Sequence, residues 1–188
     1  ECGNYEQLWC TTSLRGNLTG NLEVTVLTEG VHSGSATGIV PSCFRILRQL
    51  LSRIEDETSG NLKVEDLYVE IPEQRQEQAK LAAEVLSESV YRKFPWVDTS
   101  AAPSESIYEL LLNNNWRPGL TVTGADGMPA TINAGNTMLP STRLKLSFRL
   151  PPTLDADVAA TAVKKALDAD PPTFAKAHFK VESAMAGW

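Results

Sequence analysis

The pattern of apolar and polar positions divides the chain into strand-like and helix-like segments. Apolar and polar residues alternate over residues 22–26, which is the period of a strand with one buried face. After a turn-rich stretch, apolar residues recur at helical spacing over residues 40–54, and Pro41 is tolerated in the first turn of such a helix. We predict that this amphipathic helix ends near residues 58–60, where Gly60 can adopt a left-handed cap.

The second half of the chain shows the same two patterns. Residues 119–125 and 143–150 are predicted strands, and the second alternates between an apolar face and a face of basic and serine residues. Residues 153–167 predict a second helix, with Thr153 as its cap. Its predicted apolar stripe consists of Leu154, Val158, Ala162 and Val163. Residues 176–182 alternate again and form the last predicted strand.

The order of these elements indicates the fold. When residues 61–118 are set aside, the chain is strand, helix, strand, strand, helix, strand, which is typical of a ferredoxin-like antiparallel sheet with both helices on one face. Residues 61–118 are then a helical insertion, with a polar helical stretch over residues 73–91, a loop marked by Pro95 and Pro103, and a helix beginning at Ser104. We therefore predict an α+β fold.

Length and composition agree with one soluble globular domain. The chain has 188 residues, of which 42% are hydrophobic and 21% are charged, as in ordinary globular proteins. Its formal net charge is −6, and its basic residues are scattered among acidic ones, which argues against a nucleic-acid partner. The sequence has no apolar run of about 20 residues that could span a bilayer and no N-terminal secretory pattern, so we expect no membrane partner.

The number and spacing of the cysteines indicate the cellular compartment in which we expect the protein. Cys2, Cys10 and Cys43 are odd in number and lack the Cys-x-x-Cys spacing. They fit neither a disulfide scaffold nor a thiolate metal site. A cytoplasmic location is therefore the expected one.

Histidine is the scarcest of the residues that could carry chemistry. His32 lies in a glycine-flanked turn at residues 30–34, where a scaffold can present a functional imidazole, but a solvent-exposed loop histidine is an equally good interpretation of the local pattern. His178 is predicted to be a surface residue. No cluster of potential ligands has metal-site spacing, and Ser33 and Ser35 lie outside any nucleophile elbow.

Five short segments together resemble one protein family. Residues 30–34, Gly-Val-His-Ser-Gly, are similar to the lid and dimerisation domain of the zinc-dependent metallopeptidases that include carnosine dipeptidases, aminoacylases and succinyl-diaminopimelate desuccinylases. Residues 4–5 and 12–16 resemble the segment by which the dipeptidase branch leads into this domain. Residues 136–140 and 147–151 resemble that branch's substrate-facing loop and the strand that carries its substrate-binding arginine.

The resemblance implies that the metal centre and the substrate-binding groups belong to two different domains. A catalytic domain outside this chain would hold two zinc ions and a glutamate base, and the chain itself would need no cofactor. Residues 1–21 would be the segment arriving from that domain, and residues 22–188 the lid and dimerisation domain. The expected partners are a second copy of the chain, its own catalytic domain, and a dipeptide or N-acyl amino acid substrate.

The resemblance also implies roles for five residues. His32 would reach into the neighbouring subunit's active site and donate a hydrogen bond to the oxyanion formed from the scissile amide. Arg149 would bind the substrate carboxylate, although an exposed strand arginine is the ordinary interpretation without the resemblance. Thr137, Asn136 and Tyr5 would add further contacts to the substrate.

Two other interpretations compete with this one. A stand-alone ferredoxin-like domain that binds a ligand or a protein partner has the same fold pattern, because this fold hosts many functions. His and Asp metal ligands encoded before residue 1, and a His after residue 188, would distinguish the two. An independent enzyme that uses His32 is a poorer interpretation, since the chain offers no triad or metal set. In the favoured interpretation, the strand near residues 120–124 is the predicted dimer edge, with the helix over residues 41–57 beside it.

Overall fold

The computed structural model describes residues 3–188, so Cys2 lies outside the described residues. The strands are β1 (Gly16–Thr25), β2 (Val31–His32), β3 (Gly119–Asp126), β4 (Thr137–Met138), β5 (Ser141–Leu150) and β6 (Lys176–Met185). The α-helices are α1 (Ser33–Ala36), α2 (Cys43–Ile54), α3 (Glu73–Leu86), α4 (Ser89–Arg92), α5 (Ile107–Asn115) and α6 (Ala156–Asp168). Within the described range, no helix combines the length and apolar character needed to cross a bilayer.

The main sheet has the order β3-β5-β1-β6, and every neighbouring pair is antiparallel. Helix α2 packs against β1 and β5, helix α6 packs against β1 and β6, and the two helices contact each other on the same face. This arrangement confirms the predicted ferredoxin-like α+β fold. Helices α3, α4 and α5 lie in sequence between α2 and β3, within the predicted helical insertion.

Alternation along the two central strands separates a core face from a polar face. In β5 the even-numbered residues are buried, and in β1 the even-numbered residues are buried as well. Phe148 on β5 meets Phe179 on β6 edge to face, with ring centroids 6.2 Å apart. A Cβ at Gly20 would lie 2.5 Å from the Phe179 ring, so the glycine provides the space that this ring occupies.

Strand β1 begins six residues before the predicted strand, at Gly16. The buried positions at its start include Gly16 and Gly20, which contribute no apolar side chain and therefore hide the alternation from a sequence pattern. Helix α2 also begins later than expected, at Cys43, because the Ser42 side chain accepts a hydrogen bond from the Arg45 N–H and caps the helix there.

Helix α2 ends at Ile54, so the prediction of an end near residues 58–60 is wrong. The Asp56 carboxylate accepts hydrogen bonds from the backbone N–H and the hydroxyl of Ser59, both at 2.8 Å. This side chain competes with the helix for the backbone donors and closes a turn instead. Gly60 does have the predicted positive φ, 73°, but it lies in that turn.

The caps of two later helices also differ from the prediction. The Asp155 carboxylate, and not Thr153, caps α6 by accepting from the N–H groups of Asp157 and Val158 in its first turn. Of the predicted apolar stripe, Leu154, Ala162 and Val163 are buried as predicted, whereas Val158 is 52% exposed. Ser106, two residues after the predicted Ser104, caps α5.

The two edges of the main sheet differ. At the β6 edge, the Lys164 ammonium donates to the Phe179 carbonyl at 3.2 Å and the Asp168 carboxylate accepts from the Phe179 N–H at 2.6 Å. Burial raises the pKa of Asp168, but the hydrogen bonds from Lys164 and the Phe179 N–H outweigh it and leave the pKa below its usual value. The β3 edge lies at the other side of the sheet, and its residues 121–126 are exposed.

Replacement of Phe148 tests the core. Phe148→Ala is expected to lower the free energy of unfolding by about 3–5 kcal/mol, because it removes a fully buried ring and leaves a cavity beside Phe179. The matched control is Phe174→Ala, since Phe174 is fully exposed and should change stability by no more than about 0.5 kcal/mol. Urea denaturation followed by circular dichroism measures both values. Equal losses in the two variants would contradict this account of the core.

Candidate functional site

Three of the predicted site residues meet in one place. Strands β2 and β4 form a short antiparallel ladder in which His32 pairs with Thr137. The backbone N–H of Ser33 donates to the carbonyl of Asn136 at 2.8 Å, which continues the pairing by one step. The side chains of His32, Asn136 and Thr137 are all exposed. The structure thus brings three exposed polar residues, His32, Asn136 and Thr137, together at one short ladder, which we call the turn cluster.

Glycines make the close approaches in the turn cluster. A Cβ at Gly34 would lie 2.9 Å from Cε1 of His32, so the imidazole ring sits against a residue without a side chain. A Cβ at Gly30 would lie 2.9 Å from Cγ2 of Thr137. Both contacts are shorter than carbon atoms tolerate without a shift. The glycines that flank His32 in the sequence therefore have a packing role.

The main sheet and α2 hold the turn cluster through one short segment. The Pro140 carbonyl accepts hydrogen bonds from the N–H groups of Val26 at 2.9 Å and Leu27 at 3.2 Å, directly after β1. The Cys43 sulfur lies 3.3 Å from the same oxygen and 3.4 Å from the Leu139 carbonyl oxygen. Burial raises the pKa of the Cys43 thiol, although backbone hydrogen bonds act in the other direction, so the group remains a protonated donor near neutral pH.

The sequence places Cys43 within the helical apolar pattern of residues 40–54 and in no disulfide or thiolate-metal spacing. Its burial was predictable from helical spacing, and the structure confirms that it is buried. Its contacts with the carbonyls of Leu139 and Pro140 join residues almost one hundred positions apart, as their separations of 96 and 97 show. No local sequence pattern signals such a pairing.

Arg149 lies away from the turn cluster. It pairs with Asn17 on β1 and with Gly119 on β3, and its side chain is exposed on the face of the sheet that the helices leave open. The turn cluster adjoins the other end of β5, where Ser141 pairs with Thr25. At about 3.4 Å per residue, the eight steps from position 141 to position 149 span roughly 27 Å. One copy of the chain therefore does not bring Arg149 and His32 together.

Two further predicted positions stand apart from both groups. Tyr5 belongs to the segment before β1, and its side chain is fully exposed. His178 is mainly exposed, and its Nδ1 lies 3.3 Å from an oxygen of Asp168. This aspartate is at the β6 edge, where it accepts from the Phe179 N–H. Tyr5 therefore gains no fixed position from packing, and the location of His178 fits the predicted surface role.

The donor groups of the described residues do not form a resident metal centre. Among residues 3–188, no three or more His, Cys, Asp or Glu side chains are grouped so that they could hold a metal ion. The turn cluster offers one imidazole beside neutral groups, which is a hydrogen-bonding arrangement and not a ligand set for zinc.

Comparison with known families gives one match to a family model. The model described as "Peptidase dimerisation domain" matches residues 12–174, which is more than half of the chain. A search of curated protein sequences gave no significant match.

Several solved structures share the fold. Human carnosine dipeptidase 1 is 22% identical, with a TM-score of 0.76 over 95% of this chain and 38% of that chain. The dipeptidase Dug1p from Saccharomyces cerevisiae is 19% identical, with a TM-score of 0.71 over 95% of this chain and 37% of that chain. The M20 family metallo-carboxypeptidase Sso-CP2 from Sulfolobus solfataricus is 21% identical, with a TM-score of 0.63 over 88% of this chain and 38% of that chain. The chain spans less than two fifths of the length of each of these relatives.

The glycine contacts in the turn cluster can be tested by substitution. Gly30→Ala should push Thr137 away and loosen the pairing with β2, because the new methyl group would lie 2.9 Å from its Cγ2. We expect hydrogen exchange at the Ser33 amide to accelerate about fivefold or more, as overpacking that costs about 1 kcal/mol would produce. Gly135→Ala is the matched control, since a Cβ there meets nothing within 4 Å. Identical exchange rates in the two variants would disprove the close contact.

Proposed function

Because this chain belongs to the peptidase dimerisation domain family, we propose that it is the lid and dimerisation domain of a di-zinc peptidase or amidohydrolase that cleaves dipeptides or N-acyl amino acids. In this proposal the metal centre and the catalytic base lie in another domain of the complete protein. The present chain contributes groups that grip the substrate and a surface that pairs with a second copy.

The observation that carries the proposal is the separation of the site residues along β5. The turn cluster with His32 lies at one end of the sheet, and Arg149 lies near the other, roughly 27 Å along the strand. A fully extended dipeptide spans only about 7 Å. A single small substrate that uses both groups must therefore receive them from two copies of the chain, which supports a dimer in which each site combines His32 of one copy with Arg149 of the other.

His32 is suited to act on the scissile amide. An imidazole N–H can donate to the carbonyl oxygen, and the bond strengthens as negative charge develops on that oxygen toward the transition state. The adjacent Thr137 hydroxyl and Asn136 amide can hydrogen-bond neighbouring polar atoms of the substrate. The turn cluster thus supplies directional donors from a segment held by the main sheet.

Arg149 is suited to bind the carboxylate of the same substrate. Its planar guanidinium can donate two parallel hydrogen bonds to a carboxylate, a geometry that a lysine ammonium cannot reproduce. The neighbouring position across the ladder is Gly119, where a Cβ would meet nothing within 4 Å. A ligand can therefore approach the guanidinium from that side.

The difference between the two sheet edges supports dimerisation through β3. An exposed edge strand offers unpaired backbone donors and acceptors to another chain, and proteins often block the edges that must stay single. Lys164 and Asp168 occupy the backbone groups of Phe179 on the β6 edge. The β3 edge is exposed over residues 121–126, and α2 packs on β1 and β5 within the same sheet.

A charge on the β3 edge tests the dimer. Val122→Asp is expected to convert the protein to a monomer, because a carboxylate at the centre of a two-fold interface faces its own copy across the axis. Val158→Asp on α6 is the matched control, since the two valines are similarly exposed, at 45% and 52%. Light scattering over a range of concentrations measures the oligomeric state. Dissociation by both variants, or by neither, would exclude β3 as the specific interface.

Replacement of His32 tests its role in turnover. In the complete protein, His32→Ala should lower the turnover number about 100- to 1,000-fold, the usual loss on removal of one oxyanion donor, while zinc content stays unchanged. His178→Ala is the matched control, because His178 lies at the β6 edge, outside the turn cluster, and should leave turnover near its original value. A loss of stability without a selective loss of turnover would mark His32 as a structural residue.

Mixed dimers test whether His32 acts across the interface. Chains with His32→Ala are combined with chains that lack the glutamate base of the catalytic domain, and subunit exchange is verified. About half of the dimers are then mixed, and one of the two sites in each mixed dimer has an intact base and an intact His32 from the partner. Roughly a quarter of all sites should recover activity. Activity that stays at the level of the two parental variants after exchange would show that His32 does not act in trans.

A further inference from the structure

A second arginine lies on the same surface as Arg149. Arg15 directly precedes β1, in which Gly16 pairs with Leu150 and Asn17 pairs with Arg149. Side chains two positions apart on a strand share a face, so Arg15 and Asn17 project on the same side as Arg149. Arg15 and Arg149 are then diagonal neighbours across the ladder, about 7–8 Å apart at the backbone, a distance that two arginine side chains bridge easily.

The insertion holds the Arg15 guanidinium in place. Its Nη1 donates to the Asn113 carbonyl at 3.3 Å, and its Nη2 donates to the Asn114 side-chain oxygen at 3.2 Å. Both asparagines lie in the last turn of α5. These bonds use two of the five N–H groups of a guanidinium, so the others remain available to a ligand. Arg15 is thus a half-buried, oriented cation.

The charges of this pair are not neutralised within the described residues. No carboxylate of residues 3–188 lies within ion-pair distance of Arg15 or Arg149. Burial lowers the pKa of Arg15, and the nearby positive charge of Arg149 lowers it further. Arg143, on the same face of β5, differs because its guanidinium is 2.8 Å from a Glu23 oxygen. Two adjacent cations without a counter-charge form a surface that favours an anion.

We propose that Arg15 and Arg149 bind one substrate carboxylate together, so that Arg15 is a second specificity-determining residue. The inference rests on the proposed function, in which Arg149 alone holds the carboxylate. It adds a role for α5, because the insertion then sets the orientation of Arg15. Substrates with a free carboxylate are preferred over their neutral amides for two reasons, the paired charge and the paired hydrogen-bond geometry.

Binding of a matched pair of small ligands to the complete protein tests the inference. N-acetylglycine carries the carboxylate, and N-acetylglycinamide is its neutral counterpart. Arg15→Gln and Arg149→Gln are each expected to weaken N-acetylglycine binding about tenfold or more in calorimetric titrations, as the loss of charged hydrogen bonds predicts, and to leave N-acetylglycinamide binding unchanged. Arg143→Gln is the control, since that arginine already has its own carboxylate partner.

Two additional variants separate binding from folding. Arg15→Lys keeps the charge but loses the planar fork, so its affinity for N-acetylglycine should fall between those of the unsubstituted protein and Arg15→Gln. The double variant of Arg15 and Arg149 should lose less than the product of the two single effects, because both arginines hold the same carboxylate.

The outcomes distinguish this inference from the proposed function. Full N-acetylglycine affinity in Arg15→Gln, an equal loss for both ligands, or no N-acetylglycine binding by the unsubstituted protein would each overturn the role of Arg15. Hydrolysis of dipeptides by the unsubstituted protein is measured separately. If the unsubstituted protein hydrolyses dipeptides and any of these three results is found, the proposed function stands without a role for Arg15. If carboxylate binding depends on Arg15 but no hydrolysis occurs, the anion site stands and the proposed peptidase function is wrong.

Discussion

The antiparallel pairing of β1 with β5 is the constraint on which the rest of the structure depends. Ten residue pairs, from Gly16 with Leu150 to Thr25 with Ser141, run without interruption through the middle of the sheet. Because side chains alternate on both strands, this one register decides which residues enter the core and which line the open face. It also places the proposed site residues, since Arg149 lies near one end of the ladder and the turn cluster adjoins the other.

Segments distant in sequence are tied to the two ends of this ladder by polar contacts. At one end, the Pro140 carbonyl accepts from the backbone after β1 and contacts the Cys43 thiol, which joins the turn cluster to α2. At the other end, Arg15 donates to Asn113 and Asn114 of the insertion. Both connections are directional hydrogen bonds, so they orient groups that hydrophobic packing alone would leave free to rotate.

The two ends of the open face of the sheet differ in charge. Arg143 and Glu23 neutralise each other near the turn cluster, whereas Arg15 and Arg149 stand without a carboxylate among residues 3–188. The edges are similarly unequal, because α6 covers backbone groups of β6 and the outer residues of β3 are exposed. The anion site and the pairing edge that we propose are the features expected of a domain that contacts both a substrate and a second copy.

The sequence alone determined the order of the main-sheet strands and their two helices, the ferredoxin-like fold and the presence of His32 in a glycine-flanked turn, because these depend on local periodicity and local turn chemistry. Helix ends were less predictable, since single side chains such as Asp56 and Asp155 compete for backbone donors within a few residues. Only the tertiary structure decided that His32 meets Thr137 and that Arg15 lies beside Arg149. Such pairs join residues more than one hundred positions apart, and strand register, which no local pattern encodes, sets them.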